Sequence, residues 1–268
     1  MVNQRLAVLG AGNMGEAVLA GALSAGWAAS DVVATVRTEA KAQRLRETYQ
    51  VATTSDNVAA VRGAGIVLVG VKPKDVGALL DEIAPAIDPD AVVVTVAAGH
   101  PTAFYERRLP AGVAVVRTVP NTPAAIGAGI TAIAPGAAAT EAHLAAVEHL
   151  FAGTGAVVRA AEKDLDAVSA ISGSGPAYVF YVADALAEAG VLLGLTRDVA
   201  RSLATQTLLG ASRLMDESGE HPVVLREKVT SPGGTTAAAL RALDEGGVRA
   251  SFLSAAAAAR DRAQQLGG

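Results

Sequence analysis

Short runs rich in valine and alanine recur through the first part of the chain, separated by segments whose apolar residues return every three or four positions. The runs are Arg5 to Leu9, Asp31 to Val36, Gly65 to Val71, Ala91 to Val96, Val113 to Arg117, Ile130 to Ala134 and Ala156 to Val158. Each has strand length, and regular alternation of strand with helix predicts an α/β domain built on a parallel, doubly wound sheet. From Glu162 onward the pattern changes. No convincing strand remains, and long Ala/Leu/Val helices are broken at Gly173-Ser-Gly-Pro176, Gly190 to Thr196, Glu217 to Pro222, Pro232-Gly-Gly234 and Gly246-Gly247. This predicts a second, all-helical domain and a division of the chain into 1–160 and 161–268. Its helices are too apolar to leave a whole face in water, so they are expected to be buried on several sides, within a dimer or larger assembly.

Composition narrows this picture. With 51% hydrophobic and 18% charged residues the chain can build a sizeable interior and is not disordered. Aromatics make up only 3%, so small residues let helices approach closely. The net charge of −4 with scattered Lys and Arg provides no basic face, and nucleic acid is not expected as a partner. The longest apolar runs, such as 91–98, are far too short to span a bilayer, so no membrane association is expected. The absence of cysteine excludes disulfides, thiolate chemistry and cysteine metal sites. A first strand beginning near Arg5 leaves no room for a signal peptide, which makes a cytoplasmic location the expectation.

The motif Gly10-Ala-Gly-Asn-Met-Gly15 follows the apolar strand Leu6-Ala-Val-Leu9 and opens a helix. In that context three glycines have distinct tasks: Gly10 makes the tight turn, Gly12 lets a pyrophosphate approach the backbone, and Gly15 lets helix and strand pack closely. Asn13 and Met14 complete the turn. Where an NAD-preferring fold places Asp or Glu, at the end of the second strand, this chain has Arg37-Thr38. A guanidinium and a hydroxyl suit a 2′-phosphate, so NADP(H) is expected ahead of NAD(H), the alternative being an idle surface arginine. Two more loops, Val71-Lys72-Pro73 and Ala97-Ala98-Gly99, fall at the carboxyl ends of strands, where ligands of open α/β sheets bind. Between Pro120 and Pro123, Asn121 either contacts the cofactor or serves the turn itself.

His143 and His149 stand six apart on one helix and cannot chelate, so no metal site is expected. Neither a Ser-His-Asp arrangement nor a Gly-x-Ser-x-Gly elbow is visible, which weakens any hydrolytic reading. Hydride transfer needs orientation more than a strong acid, because the cofactor carries the reactive atom. The corner Ser231-Pro-Gly-Gly-Thr-Thr236 can supply orientation. It enters a helix, and the N–H groups of Gly234, Thr235 and Thr236 beside two hydroxyls form a site for a small carboxylate; the competing reading is a turn capped by threonine. An imine that arrives protonated needs only a hydroxyl such as that of Thr236, whereas a carbonyl acceptor would call on Lys72 or Lys228 as general acid. A related hydroxyacid or imine reductase would carry a lysine on a helix of the second domain, and 184–194 has none. A non-catalytic NADP sensor would have no need of the corner.

These motifs coincide with those of one family. The chain closely resembles pyrroline-5-carboxylate reductases over nearly its whole length, through Gly10 to Gly15, Val71-Lys-Pro73, Arg117-Thr-Val-Pro-Asn-Thr-Pro123, Asp166 to Tyr178 with its Ser-Gly-Ser-Gly-Pro-Ala-Tyr segment, and Leu225 to Asp244. The resemblance implies a Rossmann-type domain followed by a helical dimerisation domain. It also implies reduction of 1-pyrroline-5-carboxylate to L-proline with NADPH or NADH, in homodimers gathered into larger rings such as a decamer. Carried over by position, Val229, Ser231, Gly234, Thr235 and Thr236 become the substrate loop. Thr236 is then the catalytic hydroxyl that bonds the ring nitrogen, and 172–176 lies near cofactor and substrate.

Overall fold

The computed structural model describes residues 5–267. Its sheet has eight strands: β1 Leu6–Leu9, β2 Val32–Thr35, β3 Ala52–Thr54, β4 Ile66–Val69, β5 Val92–Thr95, β6 Ala114–Val119, β7 Gly129–Pro135 and β8 Gly155–Arg159. Around it lie α1 Asn13–Ser24, α2 Glu39–Tyr49, α3 Asn57–Val61, α4 Pro73–Ile83, α5 Thr102–Glu106, α6 Glu141–Phe151 and α7 Leu165–Val168. The remaining helices are α8 Gly175–Leu192, α9 Arg197–Ser218, α10 Pro222–Lys228, α11 Thr235–Glu245 and α12 Val248–Gly267. All seven expected strands form, together with one that the pattern does not announce, the short β3.

The strand order is β3-β2-β1-β4-β5-β6-β7-β8, and every neighbouring pair is parallel except β6 and β7. The sheet is parallel and doubly wound as expected, with that one pair as the exception. Only nine residues, 120–128, join β6 to β7, and they hold a short helical turn at Thr122–Ile126. That is too little chain for a crossover, so the strand must return antiparallel.

Parallel strands covered on both faces bury both sets of side chains, and β1 is completely buried. Leu6 and Val8 pack with Leu19 of α1, Leu45 of α2 and Phe151 of α6. Ala7 and Leu9 face the other way, toward Leu80 and Ile83 of α4 and Tyr105 of α5. Two dry layers thus hold the strand tips fixed, which is what a site built on the loops beyond them requires.

The chain divides into two compact units, one running through Ser174 and including the chain from Ala259 on, the other Gly175–Ala258. The second unit is all helix, and its breaks fall at the expected glycines. Its one buried cluster is Ala187 of α8 with Ala200 and Ala204 of α9. A Cβ on Gly190 would lie 2.8 Å from the Ala200 Cβ, so the close approach of the two helices depends on small residues. Among the described residues no helix is long and apolar enough to cross a membrane.

Candidate active site

Gly10 ends β1 with φ at +81°, and a Cβ there would fall 2.7 Å from Val71 Cγ1. Only glycine fits that turn without strain. Its N–H donates to Thr35 Oγ1 at 3.0 Å, and the Ala11 N–H donates to the Thr35 carbonyl at 3.0 Å, which fastens the tip of β1 to that of β2. Gly12 is the N-cap of α1 and has open space where a Cβ would stand, whereas a Cβ on Gly15 would lie 2.8 Å from the Gly10 carbonyl. The first-turn N–H groups of Asn13, Met14 and Gly15 have no acceptor within the helix, so the turn is suited to an anion.

A cleft of about 830 Å³ opens beside these tips, at the point where the strand order reverses between β1 and β4. Gly10, Gly12, Arg37, Thr38, Val71 and Lys72 all line it. So does Lys74, which follows Pro73 after β4, and so do Lys41, Ser55, Asn57 and Asp75, none of which the sequence motifs single out. Four cationic side chains, Arg37, Lys41, Lys72 and Lys74, face two carboxylates, Asp75 and Glu82. That surplus suits a polyphosphate.

The cations are not all free. Arg37 Nη2 donates to Asp75 Oδ2 at 2.6 Å, and this hydrogen bond holds the Asp75 carboxyl below its ordinary range. Thr38 is the N-cap of α2, its hydroxyl accepting from the Lys41 N–H at 3.4 Å. Lys41 bonds Glu16, which also accepts from Arg44 at 2.6 Å and from the Tyr49 hydroxyl at 3.2 Å. Burial alone would push the Glu16 carboxyl up, but the hydrogen bonds from Arg44 and Lys41 outweigh it and the net shift is downward.

Pro73, Ala97, Ala98, Gly99 and Asn121 do not line the cleft. Pro73 is the first residue of α4, and its carbonyl lies 3.1 Å from His100 Nε2. Beyond β5 the Ala97 N–H donates to Thr95 Oγ1 at 3.1 Å, Thr95 Oγ1 shares a hydrogen bond of 2.6 Å with the Tyr105 hydroxyl, and Gly99 has φ at +95°. Burial raises the Tyr105 pKa, so the phenol stays protonated beneath this loop. Asn121 joins two segments: Oδ1 accepts from the Ile130 N–H at 2.9 Å and Nδ2 donates to the Ser172 carbonyl at 3.2 Å. Ser172 belongs to a π-helical turn, Ser169–Gly173, a distortion that recurs at functional sites.

In the helical unit, Gly233 turns the Ser231 corner with φ at +66°. One expectation is corrected here: the Gly234 N–H is not available to a ligand, because it donates to the Ser231 carbonyl at 3.1 Å. Gly234 becomes the N-cap of α11, which puts Thr235 and Thr236 in the first turn, where N–H groups lack helical acceptors. Among the described residues no hydrogen bond engages the hydroxyls of Ser231, Thr235 or Thr236. They are not spent on capping. Val229, just before the corner, is exposed.

Two family models match the chain: pyrroline-5-carboxylate reductase dimerisation over residues 162–266, and NADP oxidoreductase, coenzyme F420-dependent, over residues 5–99. A pyrroline-5-carboxylate reductase of Corynebacterium melassecola is 42% identical over 265 residues, covering 98% of each chain. The chain belongs to the pyrroline-5-carboxylate reductase family.

Solved structures agree. The pyrroline-5-carboxylate reductase of Coxiella burnetii superposes with a TM-score of 0.94 at 33% identity, covering 99% of this chain and 100% of that one. The Plasmodium falciparum pyrroline carboxylate reductase, solved with NADP bound, gives 0.88 at 26% identity and covers 100% of both. Membership in the pyrroline-5-carboxylate reductase family thus extends over the glycine turn, the β2 tip and the Ser231 corner alike. What motif reading misses in this family member is the α2 and α4 side of the cleft. Ser55 and Asn57 follow β3, so an overlooked strand conceals the loop at its end; Lys41 and Asp75 are ordinary helix charges until the fold brings them to the β2 tip.

Proposed function

We infer that this protein reduces 1-pyrroline-5-carboxylate to L-proline, using NADPH in preference to NADH. The observation that carries this reading is whole-length kinship with pyrroline-5-carboxylate reductases, which takes in the dinucleotide cleft and the Ser231 corner of one chain. The cleft fits the cofactor: its glycines leave room for a pyrophosphate, and its lining has a surplus of cations. Gly10, Gly12 and the first-turn N–H groups of Asn13, Met14 and Gly15 hold the pyrophosphate. Arg37 and Thr38 face the adenosine ribose, Val71 and Lys72 wall the cleft, and Pro73 starts α4 next to them. Ala97, Ala98 and Gly99, fixed from below by Thr95 and Tyr105, leave a small-sided platform for the nicotinamide. Asn121 holds the adjoining turn in place. When bound, the nicotinamide supplies the hydride.

The substrate loop is the corner. Ser231 and the N–H groups of Thr235 and Thr236 receive the carboxylate, Gly234 shapes the turn, and Val229 covers the apolar ring edge. The Thr236 hydroxyl bonds the ring nitrogen. Hydride adds to the imine carbon, the C=N π pair becomes the amine lone pair, and that nitrogen carries the proton with which the iminium arrived or takes one from water. Residues 1–160 form the cofactor domain and 161–268 the dimerisation and substrate domain. The protein works as a cytoplasmic homo-oligomer, built from homodimers and assembled as a decamer.

Loss of NADPH absorbance on adding pyrroline-5-carboxylate, compared with NADH and with no imine, tests the reading. Imine-dependent oxidation with proline as product is expected. Silence with both cofactors, from protein that binds NADPH, would overturn it.

A further inference from the structure

Doubly wound folds that read an unphosphorylated ribose carry an acidic side chain at the β2 tip. Here Arg37 holds that position, and the carboxylate is delivered from another element. Asp75, 38 residues further on, puts Oδ2 2.6 Å from Arg37 Nη2, and both residues line the cleft. Asp75 is anchored in the first turn of α4, its N–H donating to the Lys72 carbonyl at 2.9 Å. The Arg37 side chain is 78% exposed against 30% for Asp75, so of the two partners the arginine is the one free to move.

We propose that Arg37 and Asp75 act as one exchangeable pair that sets cofactor preference, with Asp75 its NAD(H)-favouring member. A 2′-phosphate draws Arg37 into a bidentate contact, which requires the guanidinium to leave Asp75 and then sets a carboxylate beside the arriving dianion. An unphosphorylated ribose incurs neither penalty and offers its 2′-hydroxyl as a donor to that carboxylate. The other charges near Asp75 are Lys72 and Lys74, while Lys41 is bonded by Glu16. Removing the Asp75 charge therefore leaves Arg37, Lys72 and Lys74 in the cleft with Glu82 as the one remaining carboxylate of its lining. The pair gives one cleft a usable answer to either cofactor and limits how strongly it can favour the phosphorylated one.

This inference rests on the cleft being the dinucleotide site and is independent of the imine. Calorimetric titration of the intact oligomer with NADP+ and with NAD+ tests it, in wild type, Asp75→Asn, Asp75→Glu and Arg37→Ala. The ratio Kd(NAD+)/Kd(NADP+) should rise about threefold or more in Asp75→Asn, the upper part of the range for exposed ion pairs, and fall in Arg37→Ala. Asp75→Glu keeps the charge and should stay near wild type. Raising the salt until the Debye length is about 3 Å should erase the Asp75→Asn effect. An Asp75→Asn ratio unchanged or lowered, or an equal rise in Asp75→Glu, would overturn the assignment. Failure of both dinucleotides to bind would instead remove the cleft reading, and binding without imine-dependent oxidation would remove only the substrate.

Discussion

The two compact units solve the problem of apolar surface in opposite ways. The sheet unit encloses its own: β1 and β4 are buried along their whole length, and bulky residues such as Phe151, Leu68 and Ile83 are inaccessible to water. The unit Gly175–Ala258 buries three alanines and leaves Phe180, Leu192, Leu203 and Leu209 exposed. Both are apolar in sequence. The difference is that a doubly wound sheet supplies helices for both of its faces, whereas α8 and α9 supply only a small-residue seam for each other. A helix apolar on several sides is complete only when another chain covers it, and the match to a dimerisation family over 162–266 fits that requirement.

The contrast breaks most sharply if charge is placed on the uncovered side. Leu203 and Leu209 lie on different sides of α9 and are 54% and 60% exposed. Leu203→Glu combined with Leu209→Glu should split the oligomer in sedimentation velocity, lower the Tm and end turnover; an unchanged sedimentation coefficient would refute the role assigned to the exposed apolar surface of α9. Leu68→Ala in β4 is the counterpart. It should cost about 2–5 kcal/mol of stability through the cavity it leaves, while the surviving folded protein keeps its assembly.

How much of this is legible in the chain differs between the units for the same physical reason. Strands buried on both faces are unbroken Val/Ala runs, so β1, β4 and β5 announce themselves, and the glycine turn follows from the strand before it. The strand Ala52–Thr54 does not, because three residues with two threonines at the sheet's edge carry no apolar run. The direction of β7 is set by the length of its connection rather than by its own residues. The Ser231 corner is legible, since Pro-Gly-Gly followed by a helix is a local signal. Asp75 is not, because its nearness to Arg37 comes from the order of β1, β2 and β4 rather than from neighbours in sequence. The engagement of the Gly234 N–H also escapes motif reading, which gives spacing but not the path of the turn.

The Gly10–Gly15 turn and the Ser231 corner should respond to substitution in different ways. Gly15→Ala drives a Cβ to 2.8 Å from the Gly10 carbonyl, against backbone that has little room to yield. It should cost about 1–3 kcal/mol in thermal stability and raise the KM for NADPH more than that for the imine. A normal cofactor KM would show that the turn relaxes freely. Thr236→Ala removes a hydroxyl that no hydrogen bond engages among the described residues, so stability should hold while kcat falls about tenfold or more, as when one positioned hydrogen bond is lost at a transition state. Unchanged kcat would take Thr236 out of the mechanism.

The smallest effect belongs to Glu16, at the seam between α1 and α2. Its carboxylate gathers Lys41, Arg44 and Tyr49 next to the cleft, and its pKa in the fold lies below the ordinary value of 4.5. A depressed carboxylate contributes stability that is present above its unfolded pKa and lost as pH falls through the folded one. Glu16→Gln should therefore be less stable than wild type by about 1 kcal/mol at neutral pH, the size of a partly exposed ion pair, and the gap should close on acidification below the ordinary carboxylate range. Denaturant melts of both proteins across that range measure it. The variant also frees Lys41 beside the β2 tip, so its NADP+ affinity should rise slightly while NAD+ affinity stays level; a gap that persists in acid would mean that Glu16 stabilises the seam by packing and not by charge.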